Sequence, residues 1–474
     1  MTYYALHALQ HRGQEAAGIV SSYFDNEKGK MRQALHRGEG HVLDVFEDGS
    51  ILTNKLRGVS AIGHTRYSTT GANSLANIQP FHMIYRQGNI SIAHNGNLTN
   101  TRALRRELQD AGAIFQTSTD SELFLHLIAR SRKETQIEQI REAFQTTRGA
   151  YSILVQTENS LIAARDPHGI RPLAIGRIKN DDGTYAYVVA SETCAFDIIS
   201  AEYIRDVQHN EMIVIDQHTL ETGEFTSLKI IDETPEAKHC IFEYIYFSRP
   251  DSHIYGHSVD KIRRKLGKNL AVESPIYPDN EEEKVTVIGV PDSATTATLG
   301  YADSSRKMGI NSKFEIGLIR SHYVGRTFIS PGQNNREFKV KTKFNTVRGV
   351  LEDKKVVVID DSIVRGTTSK SLVKLIREAG PREVHMRITS PPIKYPCFYG
   401  MDFPTRSELI ANYHDDEEHV GEAIHVDSLH YLSVDMLMDS VPHDKGCDYC
   451  TACFTGNYPV EIEADANKSC AEND

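Results

Sequence analysis

Two adjacent carboxylates, Asp360 and Asp361, close a short apolar run of Val356, Val357, Val358 and Ile359. Ser362, Arg365, Gly366, Thr367 and Thr368 follow, and then Leu372, Leu375, Ile376 and Ala379 recur at helical spacing before Gly380 and Pro381. Four β-branched residues in a row read as a buried parallel strand, and the Gly-Pro stop ends the helix. Strand, polar loop and helix in this order form the place where open α/β sheets bind ligands. Backbone N–H groups at the helix start, together with the hydroxyls, suit a phosphate monoester. The aspartate pair suits sugar hydroxyls, or Mg²⁺ held directly or through water. A solvated strand end is the plainer alternative. The Gly-Lys-Ser/Thr ending of a Walker loop is absent.

Cysteine supplies the second chemistry. Cys447, Cys450 and Cys453 are each separated by two residues, and Cys240 and Cys397 lie far upstream. Together they offer five thiolates for a four-thiolate site, and spacing alone does not rank Cys447 below the others. Zn²⁺ accepts the same ligands as an iron–sulfur cluster, and reduced, metal-free thiols are the bland reading. Seven cysteines, an odd number clustered in this way, do not look like a disulfide framework.

A chain of 474 residues predicts two or three domains, and 39% hydrophobic with 25% charged residues describes a globular protein. A net charge of −11 argues against nucleic acid as a partner. No apolar stretch approaches a membrane span, and MTYYALHALQHRGQ lacks a signal-peptide h-region. The expected address is cytoplasmic.

In the first half, Tyr3–Gly18 reads as helical, with a dense polar patch from Gln10 to Glu15. GHTRYSTTG (63–71) and AHNGNL (93–98) follow β-like runs, and TSTDSE (117–122) precedes an apolar helix. Taken singly, Arg66 could be a surface cation, Asn95-Gly96 a hairpin turn and Asp120 a helix cap. Asp166, Pro167, Gly169, Arg171 and Pro172 read as turn architecture, and Cys194 as a small core residue.

VVVIDDSIVRGTT resembles the phosphoribosyl pyrophosphate (PRPP) signature of type I phosphoribosyltransferases. HALQHRGQEAAGI, with the three later stretches, resembles the class II glutamine amidotransferase domain of glutamine PRPP amidotransferases. The resemblance implies an N-terminal-nucleophile-type αββα glutaminase domain over residues 1–234. A type I phosphoribosyltransferase α/β domain with a cysteine-rich tail would follow over residues 235–474. It implies that Arg66 pairs the glutamine carboxylate, with the fork that favours Arg over Lys, and that Asp120 takes the ammonium. Asn95 and the Gly96 N–H would form the oxyanion hole. Asp360, Asp361, Ser362, Arg365, Gly366, Thr367 and Thr368 would hold PRPP. Ser293, Asp360 and Asp361 would lie at Mg²⁺, although Ser293 could equally cap a helix. The long polar stretch 320–349 resembles the loop that closes over PRPP, with Arg326, Arg336 and Lys343 facing pyrophosphate. Resemblance to the iron–sulfur branch implies a 4Fe–4S cluster on Cys240, Cys397, Cys450 and Cys453, with Zn²⁺ as the alternative.

The resemblance also implies a cysteine nucleophile at the mature amino terminus. Here the chain reads Met1-Thr2-Tyr3-Tyr4, and its first cysteine is Cys194. A threonine hydroxyl is far less acidic than a thiol. The expectation is therefore either a start upstream of Met1 or a glutaminase-dead form driven by free ammonia. The expected product is 5-phosphoribosylamine, formed with release of pyrophosphate in the first step of purine synthesis. Purine nucleotides are expected inhibitors, and a homo-tetramer is the expected assembly. A glucosamine-6-phosphate synthase would share the first half but not the aspartate loop. A non-catalytic PRPP-binding regulatory protein is the non-enzymatic alternative.

Overall fold

The computed structural model describes residues 1–67, 74–321, 341–414 and 416–463. Arg326 and Arg336 lie outside the described residues.

The amino-terminal half is an αββα sandwich. One layer is an antiparallel six-stranded sheet in the order Thr226–Lys229, Glu211–Ile215, Leu161–Arg165, Gly149–Gln156, Gly88–Leu98, Phe81–Tyr85. Strand periodicity divides its side chains between two cores. Ile153, Val155, Ile162 and Ala164 face the helices Thr101–Asp110, Glu122–Arg130 and Gln136–Thr146. Leu154 and Ala163 face the opposite layer. That layer holds two three-stranded sheets, one around Ala16–Asp25 and one around Ala174–Lys179. The short helices Thr2–Ala8 and Cys194–Ile198 cover its outer side.

The first helix is shorter than the sequence pattern predicts. It ends at Ala8, a 3₁₀ turn follows over Gln10–Arg12, and a strand begins at Ala16. Sheet pairing decides the outcome: Ala16 registers with both Glu39 and Arg66. Gly13 lies so close to the strand Ser60–Arg66 that an added Cβ would meet the Arg66 carbonyl carbon at 2.5 Å.

The carboxyl-terminal half is a parallel five-stranded sheet in the order Ser312–Phe314, Val285–Gly289, Lys355–Asp360, Glu383–Ile388, Ser428–Tyr431. The central strand is buried on both faces, as its uninterrupted β-branched run requires. The apolar stretch Phe314–Ile319 is not one strand. It breaks over residues 315–317, where Gly317 packs against Ile288, and resumes as Leu318–Arg320 paired with Phe344–Thr346.

Helices Val259–Glu273 and Thr295–Lys307 cross at closest approach through two glycines. A Cβ on Gly267 would meet the Ala297 oxygen at 1.8 Å, and one on Gly300 the Arg264 oxygen at 2.0 Å. Alanine normally favours a helix by about 1 kcal/mol over glycine, but here backbone must move to admit it. Gly267→Ala should therefore destabilise the protein by about 1–3 kcal/mol, measured as a lower urea midpoint at unchanged slope.

Candidate active sites

The aspartate loop sits where the central strand ends. The Asp361 N–H donates to Asp360 Oδ1 at 2.9 Å, and Ser362 Oγ donates to Asp361 Oδ1 at 2.6 Å. Ser293 Oγ donates to Asp361 Oδ2 at 2.6 Å. The helix beyond Ser293 begins at Thr295 with Ala294 at its cap, so Ser293 serves the aspartate and not the helix. Burial raises the pKa of both aspartates, and for Asp360 the charge of Asp361 adds to it.

Positive charge approaches this pair from two sides. Arg263, buried in its helix, donates to the Tyr244 and Ser248 carbonyl oxygens at 2.7 Å. Burial lowers its pKa to about 10 against the attraction of Asp361. Lys343 lies close enough to Asp292, Asp360 and Asp361 for their charges to act on its ammonium. Arg365 is tied to Glu408 at 3.0 Å and is exposed. Gly366 has φ +73°, and a Cβ there would strike Ile410 at 2.3 Å, so glycine is required at this turn. The helix Thr367–Arg377 has no side-chain cap, and Thr367 and Thr368 are exposed at its start. Such an end favours an anion.

A second pocket lies in the amino-terminal half. Arg66, Asn95, Gly96 and Asp120, far apart in the chain, all line it. Arg66 ends its strand buried at 4% exposure, and burial lowers its pKa against the pull of Glu15 and Glu39. Asp120 accepts the Leu98 N–H at 2.8 Å and the Ser121 hydroxyl at 3.2 Å. Gly96 has φ +151°, and an added Cβ would meet the Ala150 oxygen at 2.0 Å. The neighbouring His94 carbonyl accepts from His64 Nε2 at 3.1 Å and Gln79 Nε2 at 3.3 Å, fixing the strand that carries Asn95.

Among the lining residues to which sequence reasoning gave no role in this pocket are Arg12, Arg171 and Phe247. Asp166 does build the turn it was assigned to, accepting the His168 N–H at 3.0 Å and the Ile170 N–H at 3.1 Å. Arg171, from the same motif, instead points to Glu243, 3.1 Å away. Arg12 joins Glu192 at 2.5 Å and Glu243 at 2.8 Å, and both carboxylates are fully buried. The two guanidinium groups flank Phe247, at 4.5 and 5.0 Å from its ring centre. The signal was the polar density of Gln10–Glu15 and of Arg165–Arg171, but their partners lie too distant in sequence to be paired by inspection. Gly400 and Asp402 complete the wall from the carboxyl-terminal half, and Tyr67 Oη reaches Asp402 at 3.5 Å. Among the described residues no cysteine lines this pocket. Cys194 is buried in the core with its thiol pushed up to about 12, by burial and by Glu192.

Strands Ala237–Cys240 and Cys447–Cys450 pair in parallel, setting Cys240 opposite Cys450 and Cys447 opposite Ala237. Burial raises the Cys453 thiol well above its usual value, and charge on Cys450, Cys397 and Cys240 raises it further. Cys240 and Cys397 act in the same direction on Cys450. Cys447 is raised by burial and by the charge of Asp444. Among the described residues, no three His, Cys, Asp or Glu side chains converge tightly enough to hold a single metal ion.

Comparison with known proteins agrees with this pairing of sites. The glutamine amidotransferase domain family matches residues 64–197. The amidophosphoribosyltransferase of Bacillus subtilis is 47% identical over 471 residues, covering 98% of this chain and 92% of that protein. A chloroplastic amidophosphoribosyltransferase of Arabidopsis thaliana is 48% identical, covering 99% of this chain and 78% of its own length. A solved structure described as the allosteric regulatory enzyme of purine biosynthesis superposes with a TM-score of 0.88 at 44% identity, covering 99% of this chain and 96% of its own. The B. subtilis glutamine PRPP amidotransferase complexed with ADP and GMP superposes with a TM-score of 0.85 at 45% identity, covering 98% and 96%. Similarity of this extent spans both halves and both pockets, and the chain belongs to the amidophosphoribosyltransferase family.

Proposed function

We propose that this chain transfers an amino group to C1 of PRPP, giving 5-phosphoribosylamine and pyrophosphate, the first step of purine synthesis. The observation that carries the reading is the aspartate pair held by Ser293 and Ser362 beside an uncapped helix start. The amine lone pair forms the new C1–N bond while the C1–O bond breaks and its electrons leave with pyrophosphate. Asp360 and Asp361 accept the ribose hydroxyls and stabilise positive charge developing at C1. Ser362 and Arg365 shape the loop, while Gly366, Thr367 and Thr368 receive the 5-phosphate. Lys343 faces the pyrophosphate, and by resemblance Arg326 does so too. Hard oxygen donors and two adjacent carboxylates, Asp361 buried and Asp360 half-buried, fit Mg²⁺, which needs only one or two carboxylates when substrate phosphates complete its shell. Asp360, Asp361 and Ser293 would hold it, and it would neutralise leaving-group charge. Calorimetry with Mg²⁺ and PRPP tests the site: saturable heat is expected, and none from folded protein would refute the assignment.

In the glutamine pocket, Arg66 would bind the carboxylate, Asp120 the ammonium, and Asn95 with the Gly96 N–H the amide oxygen. The nitrogen transferred is ammonia, released from glutamine or supplied free. A domain division near residue 234 is supported by the strand Ala237–Cys240, which pairs with Cys447–Cys450 of the second half. The ADP and GMP in the B. subtilis structure support purine nucleotides as inhibitors. A homo-tetramer and a cytoplasmic location are part of the same proposal. The described residues contain no helix long and apolar enough to cross a membrane.

The donor chemistry of Cys240, Cys397, Cys450 and Cys453 fits an iron–sulfur cluster. The register that sets Cys240 opposite Cys450 and the resemblance to the iron–sulfur branch support the 4Fe–4S unit, with Zn²⁺ as the alternative. Cys450→Ser should abolish bound iron and its visible absorbance, whereas Cys447→Ser should leave both intact. Iron measured by mass spectrometry decides between these outcomes, and stoichiometric zinc would favour the alternative.

A further inference from the structure

Among the residues lining the amino-terminal pocket, the buried Arg171 guanidinium faces Glu243 at 3.1 Å without a hydrogen bond, and two further buried polar atoms have no hydrogen-bond partner among the described residues: His64 Nδ1 and Asn95 Nδ2. They are opposite in kind. His64 Nε2 lies 3.1 Å from the His94 carbonyl oxygen. A carbonyl only accepts, so Nε2 carries the hydrogen and Nδ1 is left as a bare acceptor. Burial, reinforced by His94, pulls the ring down to about 4, which keeps it neutral at pH 7. Asn95 Nδ2, by contrast, can only donate.

A buried orphan of either kind has given up its hydrogen bond to water and gained none in return. Native proteins keep few of them, and each calls for an explanation. With Arg171 set aside as the charge partner of Glu243, one unmet donor and one unmet acceptor remain, and they match a primary carboxamide, which carries an accepting oxygen and a donating NH₂. We propose that His64 and Asn95 together read the side-chain amide of glutamine. Asn95 Nδ2–H donates to the amide oxygen, and His64 Nδ1 accepts from the amide nitrogen.

The inference rests on the glutamine-pocket reading above and adds to it the residue that sets specificity. Arg66 and Asp120 meet the α-carboxylate and α-ammonium, which glutamine and glutamate share, so neither can tell them apart. His64 can. The second oxygen of glutamate has no hydrogen to give, and its lone pairs would face that of Nδ1. Sites built to pair a specific polar group reject the analogue that lacks it far more strongly than apolar pockets reject a methylene.

The test is calorimetric titration of the full chain with L-glutamine and L-glutamate, for the wild type, His64→Phe and His64→Gln. The wild type should bind glutamate at least about a hundredfold more weakly than glutamine. His64→Phe should lose about 10–100-fold in glutamine affinity with little change for glutamate, collapsing the ratio. His64→Gln, whose amide can both donate to the His94 carbonyl and accept from the ligand, should retain most of the preference. An unchanged ratio in His64→Phe, with both ligands binding, would overturn the inference alone. No heat with glutamine in the wild type would overturn the glutamine-pocket reading and this inference with it. Should His64→Phe fail to fold, nitrogen-15 NMR of the wild-type imidazole decides. Its unprotonated Nδ1 resonance should move with glutamine and not with glutamate, and a resonance indifferent to glutamine refutes the proposal.

Discussion

Asp361→Asn should lower ammonia-driven PRPP turnover by about 10²–10³-fold, the usual cost of removing one preorganised charge-stabilising group. The substitution keeps the shape and one accepting oxygen for the hydroxyls of Ser293 and Ser362, each now at 2.6 Å. It removes the negative charge that would oppose positive charge at C1. Stability should move the other way. The folded-state pKa of Asp361 is raised above its ordinary 3.8 by burial. A raised carboxyl group contributes stability below that ordinary value and loses it as pH rises through the folded-state value. Above that ordinary value burial makes ionised Asp361 a cost to the fold, and the variant should unfold at an equal or higher urea concentration. Loss of activity together with loss of stability would mean that Asp361 is structural.

Glu243→Gln carries the second large effect. Glu243 accepts from Arg12 at 2.8 and 3.1 Å and from Ser248 Oγ at 2.6 Å, and it faces Arg171 at 3.1 Å, with no exposure to water. Breaking a buried ion network by removing one partner costs about 3–5 kcal/mol, because the remaining charges stay buried. Glu192 continues to compensate Arg12, so Arg171 is the cation left without a carboxylate. Burial alone would raise the Glu243 pKa, but Arg12 and Arg171 outweigh it and hold it below the ordinary 4.5. A depressed carboxyl group contributes stability above its unfolded value and loses it as pH falls. The gap between wild type and variant should therefore be full at pH 7 and close below about pH 4.5. A gap that is absent at pH 7, or that widens in acid, contradicts the account.

How much of this was legible beforehand depended on sequence distance. The aspartate loop was readable because strand, turn and helix signals run consecutively from Val356 to Gly380. The glutamine-pocket residues were readable as motifs, though only the fold shows Arg66 and Asp120 on one pocket. Helix against strand at Ala16–Gly18 was misjudged because alanine and glycine carry little periodicity, and pairing with Lys30–Glu39 and Ser60–Arg66 overrode local propensity. The Arg12–Glu192–Glu243–Arg171 network was invisible, since its members come from four separate segments. The choice among Cys447, Cys450 and Cys453 was undecidable from spacing and is informed by the register that aligns Cys240 with Cys450.

The first variant bears on the central claim, that the carboxyl-terminal aspartate loop is a PRPP transfer site. The most direct check is pyrophosphate release from PRPP and Mg²⁺ with ammonium chloride as the only nitrogen source. The account predicts release that rises with the free-ammonia concentration and falls about 10²–10³-fold in Asp361→Asn. Folded wild-type protein that releases no ammonia-dependent pyrophosphate would contradict it.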